Sequence, residues 1–265
     1  DRLDTGDGDD TLDGGIGDDT LLAGSGNDQM FGGDGTDSMN GGAGNDQMWG
    51  GTGDDSMAGG DGNDVLNGDD GIDKINGDAG DDTMYGGAAA DTMDGGADND
   101  HLFGGADNNA IYGGEGNDTL DGGIGNDRLS GGAGADMLVG GDGTDTADYR
   151  KSVDAVTVNL LANTGSGGDA EGETFSGIEN LSGSANADTL IGDNAANRIT
   201  GMSGEDKIYG MGGNDYIATG GGYDYVDGGD GIDTVTYEDS WDHVVENLTT
   251  GMNQYGEASR DVLVN

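Results

Sequence analysis

Gly32-Gly33-Asp34-Gly35-Thr36-Asp37-Ser38-Met39-Asn40 is followed at once by Gly41-Gly42-Ala43-Gly44-Asn45-Asp46-Gln47-Met48-Trp49. Laid one over the other, these nonapeptides share glycine at positions one, two and four, aspartate at six and an apolar residue at eight. Outward from this pair the same register holds without a break for sixteen nonapeptides, from Thr5 to Asp148, and it resumes for six more from Gly183 to Thr236. Position eight is apolar in all twenty-two repeats, and position six is Asp in twenty of them, with Asn109 and Asn197 the exceptions. A short fixed period of this kind marks a stacked, quasi-one-dimensional architecture, because one repeat can bury its single apolar side chain only against its neighbours.

Composition alone points elsewhere. The 265 residues include 61 glycines and 55 acidic side chains against 8 basic ones, a net charge of −47, with only 31% apolar residues. Such a chain has too little to bury and too much self-repulsion to collapse unaided. It has no cysteine for a disulfide framework and no apolar run long enough to span a bilayer, so no membrane insertion is expected. The charge excludes a nucleic-acid backbone as partner. What it suits is cation binding, and the nine-residue register shows that the carboxylates are placed. A hard dication such as Ca²⁺ takes six to eight oxygens from carboxylates and main-chain carbonyls, and glycine-rich loops can turn carbonyls inward. An EF-hand reading of Asp69-Asp70-Gly71-Ile72-Asp73 fails, since no bidentate Glu follows at the required spacing.

These repeats resemble the RTX, or haemolysin-type, calcium-binding nonapeptide family over about three quarters of the chain. The resemblance implies an all-β fold: a parallel β-roll in two blocks separated by a strand-rich insert. Each nonapeptide would be a half-turn of six loop residues and three strand residues, with alternate repeats stacked eighteen residues apart. It also implies that the ions lie between stacked loops, held by loop carbonyls and by the sixth-position carboxylates. In the first block these are Asp10, Asp19, Asp28, Asp37, Asp46, Asp55, Asp64, Asp73, Asp82, Asp91, Asp100, Asp118, Asp127, Asp136 and Asp145. In the second they are Asp188, Asp206, Asp215, Asp224 and Asp233. Two rows of sites would hold on the order of 12–18 Ca²⁺, enough to neutralise most of the net charge. One buried side chain per nine ordered residues cannot offset the backbone entropy, so an unfolded chain without calcium and a folded one with it are expected.

The irregular repeats carry a further expectation. Ala89, Asp98 and Asp107 replace the fourth-position glycine, and Asn109 replaces a ligand, so the even-numbered row should be emptier between Asp73 and Asp127. Irregularities at Asn186, Ala195 and Asn197 suggest a capping start to the second block with fewer ions.

The domain organisation follows from the register: a first block over 1–148, a β-rich insert over 149–182, a second block over 183–236, and over 237–265 the start of a second insert. The first insert, with Val156, Val158 and Leu160 alternating, is expected to lie as a flap over an end or edge of the roll. It is similar to the inserts of bacterial RTX adhesins and of mannuronan C5-epimerase R-modules. An offset of 88 relates Asp145-Thr146-Ala147-Asp148-Tyr149 to Asp233-Thr234-Val235-Thr236-Tyr237, which suggests a tandem supermodule in a longer protein.

No catalytic constellation emerges: His101 and His243 are isolated, and acidic pairs are too numerous to nominate an acid and a base. The fragment is expected to be non-enzymatic. One outer face of the roll should carry Phe31, Trp49, Tyr85 and Phe103 with interleaved amides, a surface that could meet an extracellular polysaccharide or neighbouring surface-protein copies. The plainer reading is that these rings pack on one another across strands. The resemblance further implies a secreted, extracellular or bacterial cell-surface location, export through a type I secretion apparatus, and a structural or adhesive scaffold role. The rival is an accessory or secretion module of an extracellular enzyme such as an alginate epimerase, protease or lipase.

Overall fold

A computed structural model describes residues 1–236 and the strand Val262–Val264. The chain divides into two bodies, Asp1–Asp145 and Thr146–Asn265. The restart of the insert motif from Tyr237 onward, His243 included, lies outside the described residues apart from that last strand.

In the first body the alternation between two sheets follows directly from the nine-residue register. Strands such as Gln29–Asp34 and Ser38–Ala43 occupy positions seven to nine of one repeat and one to three of the next, and positions four to six make the turn. Consecutive strands go to opposite sheets, so each pairs in parallel with the strand eighteen residues away. Gln29, Met30 and Phe31 thus lie beside Gln47, Met48 and Trp49, while Ser38, Met39 and Asn40 lie beside Ser56, Met57 and Ala58. This is the parallel β-roll, but with strands of six or seven residues rather than three, because ladder pairing continues through the glycine pair, with Gly33 opposite Gly51.

Position eight supplies the core. From Leu12 through Met30, Met48, Leu66 and Met84 to Leu138 its side chains are at most 2% exposed. Aliphatic and thioether side chains suit this narrow interior, since unbranched methionines fill irregular gaps without polar demands. Position one, glycine in all but three of the twenty-two repeats, faces the same interior. A Cβ on Gly32 would lie 2.5 Å from the Gly50 carbonyl oxygen and 2.5 Å from Asp37 Oδ2, well inside van der Waals contact. Close approach favours glycine there, although Ala23 and Thr219 occupy the same position in their own repeats, both buried.

The second body reverts to strands of three residues, as in Thr189–Ile191 and Lys207–Tyr209. Here the insert departs from expectation: it supplies rungs of the stack instead of a flap. Thr157–Asn159 pairs in parallel with Thr189–Ile191, putting Val158 beside Leu190. Asn180–Ser182 pairs with both Thr146–Asp148 and Arg198–Thr200, putting Leu181 between Ala147 and Ile199. Val158 and Leu181 are buried, so each does the work of a position-eight residue and the sheet can absorb the insert without breaking register. Behind them the Tyr149 hydroxyl donates a hydrogen bond to the Glu173 carboxylate, both groups being buried.

Candidate calcium-binding rows

From Asp28 on, the sixth-position aspartates of the first block divide their two carboxylate oxygens between separate tasks. Oδ1 accepts a hydrogen bond from the backbone N–H of the sixth residue one turn earlier: Asp10 donates to Asp28 at 2.7 Å, and Asp28 to Asp46, Asp46 to Asp64 and Asp64 to Asp82 at 2.8 Å. The other edge of the roll repeats this, with Asp19 donating to Asp37, Asp37 to Asp55 and Asp55 to Asp73 at 2.8 Å. One oxygen therefore ties turn to turn, which puts the carboxylates in two continuous rows.

Oδ2 is the unusual atom. At every sixth-position aspartate from Asp10 to Asp127, and at Asp206 and Asp215, it is buried and has no hydrogen-bond partner among the described residues. A buried carboxylate oxygen without a donor is costly, and a file of them is more so. Burial pushes Asp64, Asp82 and Asp100 up to about 7 and Asp206 up to about 8, against the lowering effect of the backbone N–H each accepts. Asp55, Asp73, Asp91, Asp118 and Asp215 rise to about 6 for the same reason. Among the described residues none of these carboxylates has an ion-pair partner.

The surroundings of these oxygens are oxygens. Asp37 Oδ2 and the Gly50 carbonyl converge on the space before Gly32, and Asp91 Oδ2 and the Gly104 carbonyl converge in the same way before Gly86, at 2.5 and 2.6 Å from an ideal Cβ. Second- and fourth-position carbonyls, such as those of Gly15 and Gly17, face the loop of the following turn. Among the described residues no three His, Cys, Asp or Glu side chains gather at one point. A cation here must draw on main-chain carbonyls plus carboxylate, which is the donor set of a hard dication of calcium size and not of a transition metal. Asp10, Asp19, Asp28, Asp37, Asp46, Asp55, Asp64, Asp73, Asp82, Asp91, Asp100, Asp118 and Asp127, with Asp206 and Asp215, present an orphaned oxygen that fits such an ion. Asp136, Asp145, Asp224 and Asp233 join the rows through Oδ1, which accepts from Asp118, Asp127, Asp206 and Asp215. Asp188 is different: its two oxygens accept from Val156, from the Ser184 N–H and from the Ser184 hydroxyl.

The irregular fourth positions keep the loop path. Ala89, Asp98 and Asp107 take left-handed φ values of 81°, 77° and 68°, as do Asp69 and Asp78 at position two. Ala89 therefore keeps the loop path of its repeat, and Asp91 retains an orphaned Oδ2. A second ladder runs along position five. The backbone N–H groups of Asn27, Asn45, Asn63, Asp81, Asn99 and Asn117 each donate to the side-chain oxygen of the position-five residue one turn earlier, at 2.8–3.2 Å. Its mark in the sequence is the recurrence of Asn or Asp at position five of the odd repeats.

Parallel pairing with a nine-residue half-turn, a stacked core and two files of carboxylates, most with an orphaned Oδ2, define a cation-binding repeat roll. The profile of the RTX calcium-binding nonapeptide repeat family matches the chain in stretches that together run from residue 1 to 147 and from 173 to 235. The chain belongs to this family, whose repeats bind Ca²⁺. No curated protein sequence matches it.

Proposed function

We propose that this chain is a calcium-triggered scaffold: a segment that folds on meeting external Ca²⁺ and then serves as a stiff spacer or adhesive element of a secreted or cell-surface protein. The observation that carries the reading is the file of buried, unpartnered Oδ2 atoms, because a roll in that state is self-repelling until cations enter it. On this reading the sixth-position carboxylates and the glycine-loop carbonyls would hold the ion, which supplies positive charge between turns. The protein's own contribution is the Oδ1 ladder that fixes each carboxylate and the position-eight core that sets the spacing. Low calcium inside a cell would leave the chain extended and suited to type I export. No described helix is long and apolar enough to cross a membrane. On this reading the segment is not catalytic, and a role as accessory module of an extracellular enzyme differs only in what is attached to it.

The aromatic face favours the cross-strand reading. Phe31 and Trp49 stack at 4.9 Å and 8°, and Tyr85 and Phe103 at 5.1 Å and 11°, with Asn67 between the pairs in register. Each ring spends a face on its neighbour, so the ladder supports the sheet, and a polysaccharide or second copy would meet mainly the outer ring faces and edges.

Far-UV circular dichroism of the full chain in chelator, then with stepwise Ca²⁺, tests the proposal. A disordered spectrum that converts to β-structure with calcium is expected. Full β-structure in chelator at neutral pH refutes it.

A further inference from the structure

Three sixth positions, Asn109, Asp188 and Asn197, have the place of the orphaned oxygen filled by a hydrogen bond from within the chain, and they are closed in two ways. At Asn109, Oδ1 must accept the backbone N–H of Asp91 at 2.9 Å, as its aspartate counterparts do in their turns. That requirement forces the amide nitrogen into the place Oδ2 occupies elsewhere. Before Gly104, Asn109 Nδ2 and the Gly122 carbonyl lie 2.7 and 2.5 Å from an ideal Cβ. Before Gly122, the Asp127 Oδ2 and the Gly140 carbonyl lie at 2.5 and 2.6 Å. The Asn109 amide donates to the Gly122 carbonyl at 3.4 Å and to the Asp107 carbonyl at 3.2 Å. A donor with partial positive charge thus sits where the neighbouring turns offer acceptors only.

Position two closes the others. Asp188 Oδ2 accepts the Ser184 N–H at 2.6 Å, and Asn197 Oδ1 accepts the Asp193 N–H at 2.8 Å. Ser184 and Asp193 are absent from the left-handed positions, whereas Asp69, Asp78, Met202 and Met211, at position two of other repeats, have φ between 69° and 78°. The repeats of those four keep orphaned oxygens at Asp73, Asp82, Asp206 and Asp215. A left-handed residue at position two turns its N–H away from the carboxylate, and a right-handed or extended one delivers it.

Resting on the calcium reading above, we infer that the cradles at Asn109, Asp188 and Asn197 are bonded internally and take no cation. They would be rungs that hold together before calcium arrives, one inside the first body and two adjoining ones at the start of the second block.

The test is ion stoichiometry of the full chain at saturating Ca²⁺, by native mass spectrometry and by calcium anomalous scattering from crystals. Asn109→Asp should bind at least one more ion than the wild type, and Asn109→Ala should bind the same number. The wild-type crystal should show calcium at the Asp91 and Asp127 cradles and none at Asn109, Asp188 or Asn197, which decides the matter even if a variant fails to fold. Calcium at these three cradles, or an unchanged count in a folded Asn109→Asp, overturns this inference while leaving calcium-driven folding intact. A wild-type chain that binds no calcium at all overturns both.

Discussion

Replacing Gly32 by Ala puts one methyl group where two oxygens already converge. The new Cβ would lie 2.5 Å from Asp37 Oδ2 and 2.5 Å from the Gly50 carbonyl oxygen, some ångström closer than ordinary contact. Neither neighbour can move freely. Gly50 O is backbone within a paired strand, and the Asp37 carboxylate is anchored by the Asp19 N–H at 2.8 Å. Overpacking of this kind costs about 1–3 kcal/mol, and because the methyl group occupies the cradle the substitution should also remove an ion. For a chain of this size about 1 kcal/mol corresponds to about 2–4 °C, so thermal unfolding in saturating calcium should fall by roughly 2–12 °C from the packing cost alone. Thr36→Ala is the control, an exposed side chain in the same repeat whose loss should be worth no more than about 0.5 kcal/mol. The assay is a calorimetric melt with the bound-ion count measured on the same sample. A Gly32→Ala protein that melts with the control and keeps every ion would show that the convergence at Gly32 is not part of the calcium site.

The calcium-free chain should respond to acid in the direction opposite to most proteins. Burial raises the folded-state values of Asp64, Asp82, Asp100 and Asp206 to about 7–8, so the stability linked to their protonated form is fully present below the ordinary carboxylate range and is lost as pH rises from that range through the folded values. In chelator, circular dichroism should therefore show more β-structure at pH 4 than at pH 8, and the reverse trend would refute the link between burial and apo instability. Asn63→Ala removes the acceptor for the Asp81 N–H and one step of the position-five ladder, at a cost of about 0.5–1.5 kcal/mol. Its melt should drop with no change in the calcium count, since the ladder lies outside the two carboxylate rows.

Much of the architecture was legible because the period is rigid. A nine-residue repeat with one invariant apolar position admits a single stacking offset of eighteen, and the pairing of Met30 with Met48 or Ile75 with Met93 follows from it. The candidate ligands were legible on the same ground, since Asp37 and its equivalents recur at one phase of the repeat. The insert was less so. Val158 and Leu181 have no nonapeptide around them to declare their phase, and only their pairing with Leu190 and with Ala147 and Ile199 reveals that they continue the stack.

By itself, then, the sequence determined the roll, its register, its core and the phase of its carboxylates, because these depend only on periodicity and on the few residue types each position tolerates. Tertiary structure alone decided what each carboxylate oxygen does. Whether Oδ2 is orphaned, as at Asp73, or closed by a backbone N–H, as at Asp188, turns on the sign of φ at position two. That sign is not written in residue type, for Asp69 is left-handed and Asp193 is not. The physical reason is that a hydrogen bond depends on the direction of a donor, and direction is set by the folded backbone of the turn in which the donor sits.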